Sequence, residues 1–221
     1  MADTDKYDAL KIRAEHLGLF ETVVLYARFA PADPLTADLE AAIRKRMTEH
    51  EGIRRSNVGG WHSDTDMLKW GGAPAEKLAD MTIRIARRLS HFNEADPKKI
   101  DWRLSMWANV SPPGALNQTH AHPGNVWAAV YYVALGREDG DMESGGALRI
   151  EDPRFPLPQM RHTGFRAIGP DGKPQEPVQN YYPRRGDLIL FPAWARHGVS
   201  PHEGEGESIS IAMNLDARIK R

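Results

Sequence analysis

Cysteine is absent from the 221 residues. That excludes a disulfide framework, thiolate metal sites and a cysteine nucleophile, so any bound metal has to be held by histidine, aspartate or glutamate. No apolar run is long enough to cross a membrane, and the opening Met1-Ala-Asp-Thr-Asp-Lys-Tyr7 is polar and acidic rather than basic and then apolar. A soluble, cytoplasmic protein without a membrane partner is the expectation. Charge of one sign is not in excess either. The 29 Lys and Arg against 30 Asp and Glu leave a net charge of −1, which supplies none of the broad attraction that nucleic acid requires. Internal repeats, low-complexity tracts and a linker are missing too, so residues 1–221 are expected to form a single domain.

What is present divides near residue 100. In the first part, Leu17 to Phe29 is β-branched and aromatic, ends at Pro31 and Pro34, and suits a strand at a sheet edge. Leu39, Ala42, Ile43 and Met47 fall at helical spacing between Thr36 and His50, with Thr36 or Asp38 as candidate caps. A glycine-rich loop around Gly59-Gly60-Trp61-His62 follows. A second helix is expected from Pro74 to Phe92, with Leu78, Met81, Ile85, Leu89 and Phe92 as its apolar stripe. The strand and the two covering helices make up residues 1–100.

Residues 101–215 read as a run of short strands: Trp102 to Val110, Val126 to Leu135, Ala147 to Glu151, Val178 to Tyr182, Asp187 to Phe191 and Ser208 to Leu215. Glycine, proline and aspartate turns separate them. The fold class is therefore mainly β with flanking helices, a sandwich or barrel. Pro153 to Pro177 is a proline-rich irregular insertion, of the length that binding loops and lids have.

Within that β-rich part lie Asn117-Gln-Thr-His120-Ala-His122-Pro-Gly and, far downstream, Phe191-Pro-Ala-Trp-Ala-Arg-His197. Side chains alternate along a strand, so His120 and His122 can face one barrel mouth. Pro192 ends the Asp187 to Phe191 strand and turns the chain toward His197. Three imidazoles without sulfur suit Fe(II), Zn(II), Ni(II) or Cu(II). His16, His50, His91, His162 and His202 read as surface or core residues.

Around these histidines the chain resembles a family of small bacterial and phage 2-oxoglutarate- and Fe(II)-dependent oxygenases. The resemblance is carried by Gly60-Trp61-His62-Ser63, His120-Ala-His122-Pro, Val130-Tyr-Tyr-Val133, Gly145-Gly-Ala-Leu148, Asp152-Pro-Arg154, Gly186-Asp-Leu-Ile-Leu-Phe-Pro192, His197-Gly-Val-Ser-Pro201 and Ile209-Ser-Ile-Ala-Met-Asn214, and it spans about residues 56 to 215. It implies a double-stranded β-helix, a jelly-roll or cupin-like barrel, and Fe(II) and 2-oxoglutarate as cofactors. The implied reaction is oxidation, most simply hydroxylation, of a small-molecule or peptide substrate coupled to decarboxylation of 2-oxoglutarate. The insertion and the Trp61-His62 loop would then keep water from the site.

Two positions depart from that family. The usual His-x-Asp pair is His120-Ala-His122 here. The metal set is then His120, His122 and His197, or one in which His120 stands behind the ligands and a carboxylate comes from elsewhere. The arginine that would clamp the distal carboxylate of 2-oxoglutarate is Ser208. Ser208, Ser210 and Asn214 share one strand face and, with Tyr132 and Arg149, are the candidate cofactor-binding residues; Arg103 and Tyr131 are further candidates. The alternative is a three-histidine cupin-like barrel that does not use 2-oxoglutarate, either a dioxygenase or a binding module. Substrate and oligomeric state are not specified by these residues.

Overall fold

Apolar and polar residues alternate, except at Trp107 and Ala212, along β4 (Ile100–Ser111) and β11 (Ser208–Ile219), which form a continuous antiparallel ladder from Ser208 opposite Ser111 to Ile219 opposite Ile100. A one-residue slip of β11 would turn Ile209, Ile211, Met213 and Leu215 away from the layer they pack in, so this register is strongly held. The protein is seen here as a computed structural model that describes residues 15, 17–29, 34–93, 96–139, 141–154, 157 and 160–219. His16 and Pro31 lie outside them.

Nine further strands complete two antiparallel sheets. They are β1 (Leu25–Arg28), β2 (Asn57–Val58), β3 (Trp61–His62), β5 (Leu116–His120), β6 (Trp127–Ala134), β7 (Leu148–Glu151), β8 (Val178–Tyr181), β9 (Asp187–Pro192) and β10 (His197–Val199). The larger sheet runs β1-β9-β6-β11-β4-β3 and the smaller β2-β5-β10-β7-β8. This is a double-stranded β-helix, as expected. The expected edge strand is β1, confined to Leu25–Arg28.

Alternation sorts the side chains of the larger sheet into two layers. Ile209, Ile211, Met213 and Leu215 of β11, with Trp127, Ala129, Tyr131 and Val133 of β6, pack on one face with helix residues Leu39, Ile43 and Leu78. The opposite face looks into the barrel, where Ala128, Tyr132, Ile189 and Phe191 meet Leu148 and Ile150 of the smaller sheet. Burying each of the larger side chains is worth about 1.5–3 kcal/mol.

The helices are α1 (Pro34–Glu49), a single turn α2 (Met67–Trp70), and α3 (Gly72–Arg88). Thr36 is not a cap: Pro34 takes the first helical position, where its missing N–H is no loss. Thr36 Oγ1 instead lies 2.6 Å from the Tyr131 hydroxyl, tying helix to sheet in a buried hydrogen bond. On α3 the buried face is Ala75, Leu78, Ala79, Thr82 and Ala86, while Met81 and Ile85 of the expected stripe flank it half-buried. Small residues let the helix lie close, and the larger ones fill the margins. Among the described residues no helix is long and apolar enough to cross a membrane.

The described residues fall into two compact units. One, within Thr22–Arg154 and Pro177–Arg221, carries every strand and helix named above. The other, within Met1–Glu21 and Phe155–Glu176, includes most of the insertion. Its described part holds a tight reversal in which Gly169 N donates to Lys173 O and Gln175 N to Ala167 O, each at 2.8 Å.

Tyr131→Phe removes one partner of the buried helix-to-sheet bond. It is expected to cost about 1–3 kcal/mol, read as a lower thermal midpoint, with metal affinity unchanged; an unchanged midpoint would mean the bond adds nothing.

Candidate metal centre

The three histidines reach one place by three routes. His120 closes β5, and β10 pairs with it so that His197 lies directly opposite His120. His122 lies just beyond the strand, at the turn through Pro123 and Gly124, whose φ of +88° suits glycine. Backbone bonds stitch this turn to the chain that follows β9: His122 N donates to Ala193 O at 2.9 Å, and Ala193 N to Val126 O at 3.0 Å. Ala195 N then donates to Pro192 O at 2.9 Å, closing the turn that delivers His197.

The ring centroids lie 4.5 Å (His120 to His197), 4.9 Å (His120 to His122) and 5.0 Å (His122 to His197) apart. One nitrogen from each comes within 4.8 Å of the others, and among the described residues no aspartate or glutamate joins the group. Of the two metal sets left open by the sequence, the arrangement favours the three histidines. Phe191 packs edge-on against His197 with centroids 4.6 Å apart, and Trp107 against His122 at 6.0 Å. His62 of β3 stacks on Trp107 with centroids 5.8 Å apart and is buried, so Trp61-His62 touches the ring that packs on His122.

Burial shifts two of the histidines, His122 and His197, toward their neutral, metal-binding form. The His122 and His197 pKa values are both lowered to about 4, first by removal from water; His197 and His120 add repulsion at His122, and His120 does so at His197. The Nδ1 atoms of His120 and His197 face backbone oxygens, Gln118 O at 2.7 Å and Ala195 O at 2.9 Å. A carbonyl only accepts, so each Nδ1 carries the hydrogen and Nε2 keeps the lone pair.

Beside the histidines a pocket opens into the barrel. Ser210, Asn109 and Asn117 form its polar wall, and Val130, Leu148 and Phe191 its apolar one. No arginine or lysine is among the described residues that line it. Ser210 is brought to this pocket. Ser208 is not: it begins β11 at the far end, beyond an irregularity in the pairing with β6, and its hydroxyl donates to Ala134 O at 3.4 Å. Tyr132 points into the barrel as the register partner of Ser210, and its hydroxyl is buried without a hydrogen-bond partner. Burial, with Asp187 second, raises its pKa.

Arg149 is a correction. Leu148 and Ile150 face inward, so Arg149 between them is exposed on the outer face of the smaller sheet. Arg103 is exposed and paired with Asp101 at 3.3 Å, and Tyr131 belongs to the helix side of the larger sheet. Asn214 lies against a metal-ligand candidate: its Nδ2 is 3.2 Å from His122 Nδ1. His202 is buried, with Nε2 2.7 Å from Gly206 O. Trp107, Asn109 and Asn117 were not anticipated as site residues. Alternation along the Trp102 to Val110 run puts Trp107 and Asn109 on one face, a signal that could have found them.

Residues 105–214 match the family described as "Putative 2OG-Fe(II) oxygenase". No curated protein matches the sequence. Among solved structures, the chain is similar to a prolyl-4-hydroxylase from Pseudomonas putida, with 20% identity, 90% of this chain and 92% of that chain covered and a TM-score of 0.55. It is also similar to HygX from Streptomyces hygroscopicus with nickel and 2-oxoglutarate bound, with 14% identity, 88% and 83% coverage and a TM-score of 0.59. A third is SnoN, a non-heme alpha ketoglutarate dependent epimerase from nogalamycin biosynthesis, with 15% identity, 90% and 79% coverage and a TM-score of 0.60. These likenesses concern the fold.

The depressed histidine pKa values set a pH dependence. The unfolded chain takes up protons near pH 6.5 and the folded chain near 4, so the folded state loses stability as pH falls through that window. The metal-free protein is expected to show a falling thermal midpoint from pH 6.5 to 4, and the His122→Gln variant a shallower fall. Parallel curves for the two proteins would contradict this.

Proposed function

We propose, from the match of residues 105–214 to the 2OG-Fe(II) oxygenase family, that the chain is a hydroxylase of that family whose iron is held by His120, His122 and His197. The enzyme class is that of the 2-oxoglutarate-dependent oxygenases, and Fe(II) and 2-oxoglutarate are the cofactors of that class. The observation that carries the assignment of ligands is the convergence of three imidazole nitrogens within 4.8 Å at a pocket in the barrel mouth. When bound, iron and 2-oxoglutarate supply the oxidising chemistry, in which the substrate gains one oxygen atom of O₂ while 2-oxoglutarate loses CO₂ and becomes succinate.

The residues fit a metal well, because three neutral donors sit in a partly dry setting with tautomers fixed by backbone carbonyls at two of them. Three uncharged ligands leave a divalent ion its full charge, which favours an anionic 2-oxo acid in the open positions. Phe191 and Trp107 restrict water beside the histidines. For the distal carboxylate, we assign the Ser210 hydroxyl, with Asn109 on the neighbouring strand. Neutral donors bind a carboxylate with less energy than a paired arginine. The substrate is a small molecule or a peptide. A peptide is the choice suggested by analogy with a prolyl hydroxylase from Trichoplax adhaerens in complex with a hypoxia inducible factor peptide fragment.

A second reading, a three-histidine barrel that does not turn over 2-oxoglutarate, is favoured by one observation: the absence of any cation among the described residues lining the pocket.

Anaerobic addition of Fe(II) and 2-oxoglutarate is expected to produce a visible charge-transfer band, and admission of O₂ to yield succinate. His197→Ala is expected to lose both. Ser210→Ala is expected to raise KM for 2-oxoglutarate about tenfold or more, as loss of one hydrogen bond to a charged group does. A wild-type protein that binds iron but gives neither band nor succinate decides for the second reading.

A further inference from the structure

Asn214 stands on the inner face of β11, half-buried, with its side-chain amide against His122. Two features of that contact disagree with the rest of the site. As the amide is placed, Nδ2 points at His122 Nδ1, which as an acceptor would put the ring hydrogen on Nε2. The other two rings carry their hydrogen on Nδ1, because each faces a carbonyl oxygen. In addition, Asn214 Oδ1 is buried with no hydrogen-bond partner, a state that costs free energy in a folded protein.

We infer that Asn214 turns Oδ1 toward His122 and accepts its Nδ1 hydrogen, so that Asn214 is the positioning residue that readies His122 as a metal ligand. A half-turn of the amide interchanges two atoms of nearly equal size in the same envelope, and the choice between them rests on the hydrogen-bond network. The turned amide gives Oδ1 the ring hydrogen and leaves Nδ2 in the unpartnered place, so the likeness of the three rings decides between the two placements. The turn makes His122 equivalent to His120 and His197: all three rings hold hydrogen at Nδ1 and offer the Nε2 lone pair to a common point. Backbone carbonyls perform this task at two of the rings. At both of those rings the carbonyl belongs to the residue two places back; His122 lies past the end of its strand, and the Asn214 side chain meets its Nδ1 instead. The inference rests on the metal-binding part of the proposed function and is independent of whether 2-oxoglutarate is turned over.

The test uses the full chain without metal, then with Ni(II) or anaerobic Fe(II) alone. Nitrogen-15 NMR of the histidine rings is expected to show His122 in the Nδ1-protonated tautomer at neutral pH; an Nε2-protonated ring overturns the inference. Asn214→Leu is expected to weaken Ni(II) binding about 10–100-fold, the usual effect of removing a group that orients a ligand. Asn214→Asp, which can only accept, is expected to bind Ni(II) at least as tightly as the wild type. Asn214→Leu with unchanged affinity, or Asn214→Asp as weak as Asn214→Leu, refutes it. A misfolded leucine variant leaves the wild-type spectrum and the aspartate variant to decide, and failure to form succinate would bear only on the proposed function.

Discussion

The antiparallel pairing of β10 with β5 is the constraint on which the mouth of this barrel depends. It sets His197 opposite His120, and because strand side chains alternate, no neighbouring register would put both imidazoles on the same side. The pairing is short, three residues of β10 against a polar strand. Its position is held from outside, by β7 on the other edge of β10 and by the backbone bonds that stitch His122 to Ala193. The large apolar layer under the helices carries the stability, and the histidines are placed by backbone geometry.

That division explains the electrostatics of the site. Burial, rather than a neighbouring charge, is the main reason two of the imidazoles resist protonation. Every potential ligand is an imidazole rather than a carboxylate, and the polar wall of the pocket beside them is made of hydroxyl and amide groups. Charge at such a centre has to arrive with what binds there. This sets the centre apart from a two-histidine, one-carboxylate arrangement, in which the protein itself contributes one negative charge.

The sequence made the long strands and the three histidines readable, because both depend on local pattern. Val126 to Leu135 and Ser208 to Leu215 alternate or run apolar, and β6 and β11 lie there. Leu116-Asn-Gln-Thr-His120 shows no apolar alternation, so β5 was not legible; it is a strand because its backbone pairs on two sides. Trp61-His62 and His197 to Val199 are similarly too short to show a period. Arg149 illustrates the opposite error. The pattern Leu148-Arg149-Ile150 already puts the arginine on the face opposite two apolar neighbours, and the chemical demand for a cation pulled against that plain signal. Asn214 was legible as an inward-facing polar residue, but its partner, a histidine ninety-two positions away, depends on how the chain beyond β5 turns.

One feature outside the site has a bearing on how such a chain can vary. The insertion leaves and re-enters the barrel through β7 and β8, whose ladder runs to Glu151 opposite Val178 and is extended by Asp152 N donating to Pro177 O at 2.8 Å. Its two ends are thereby clamped side by side by main-chain bonds that do not involve what lies between them. Closing a longer excursion costs little, about 0.6 kcal/mol for each doubling of length. The barrel therefore offers a socket between residues 154 and 177 where segments of different size and composition can be exchanged, with His120, His122 and His197 staying where the strands put them.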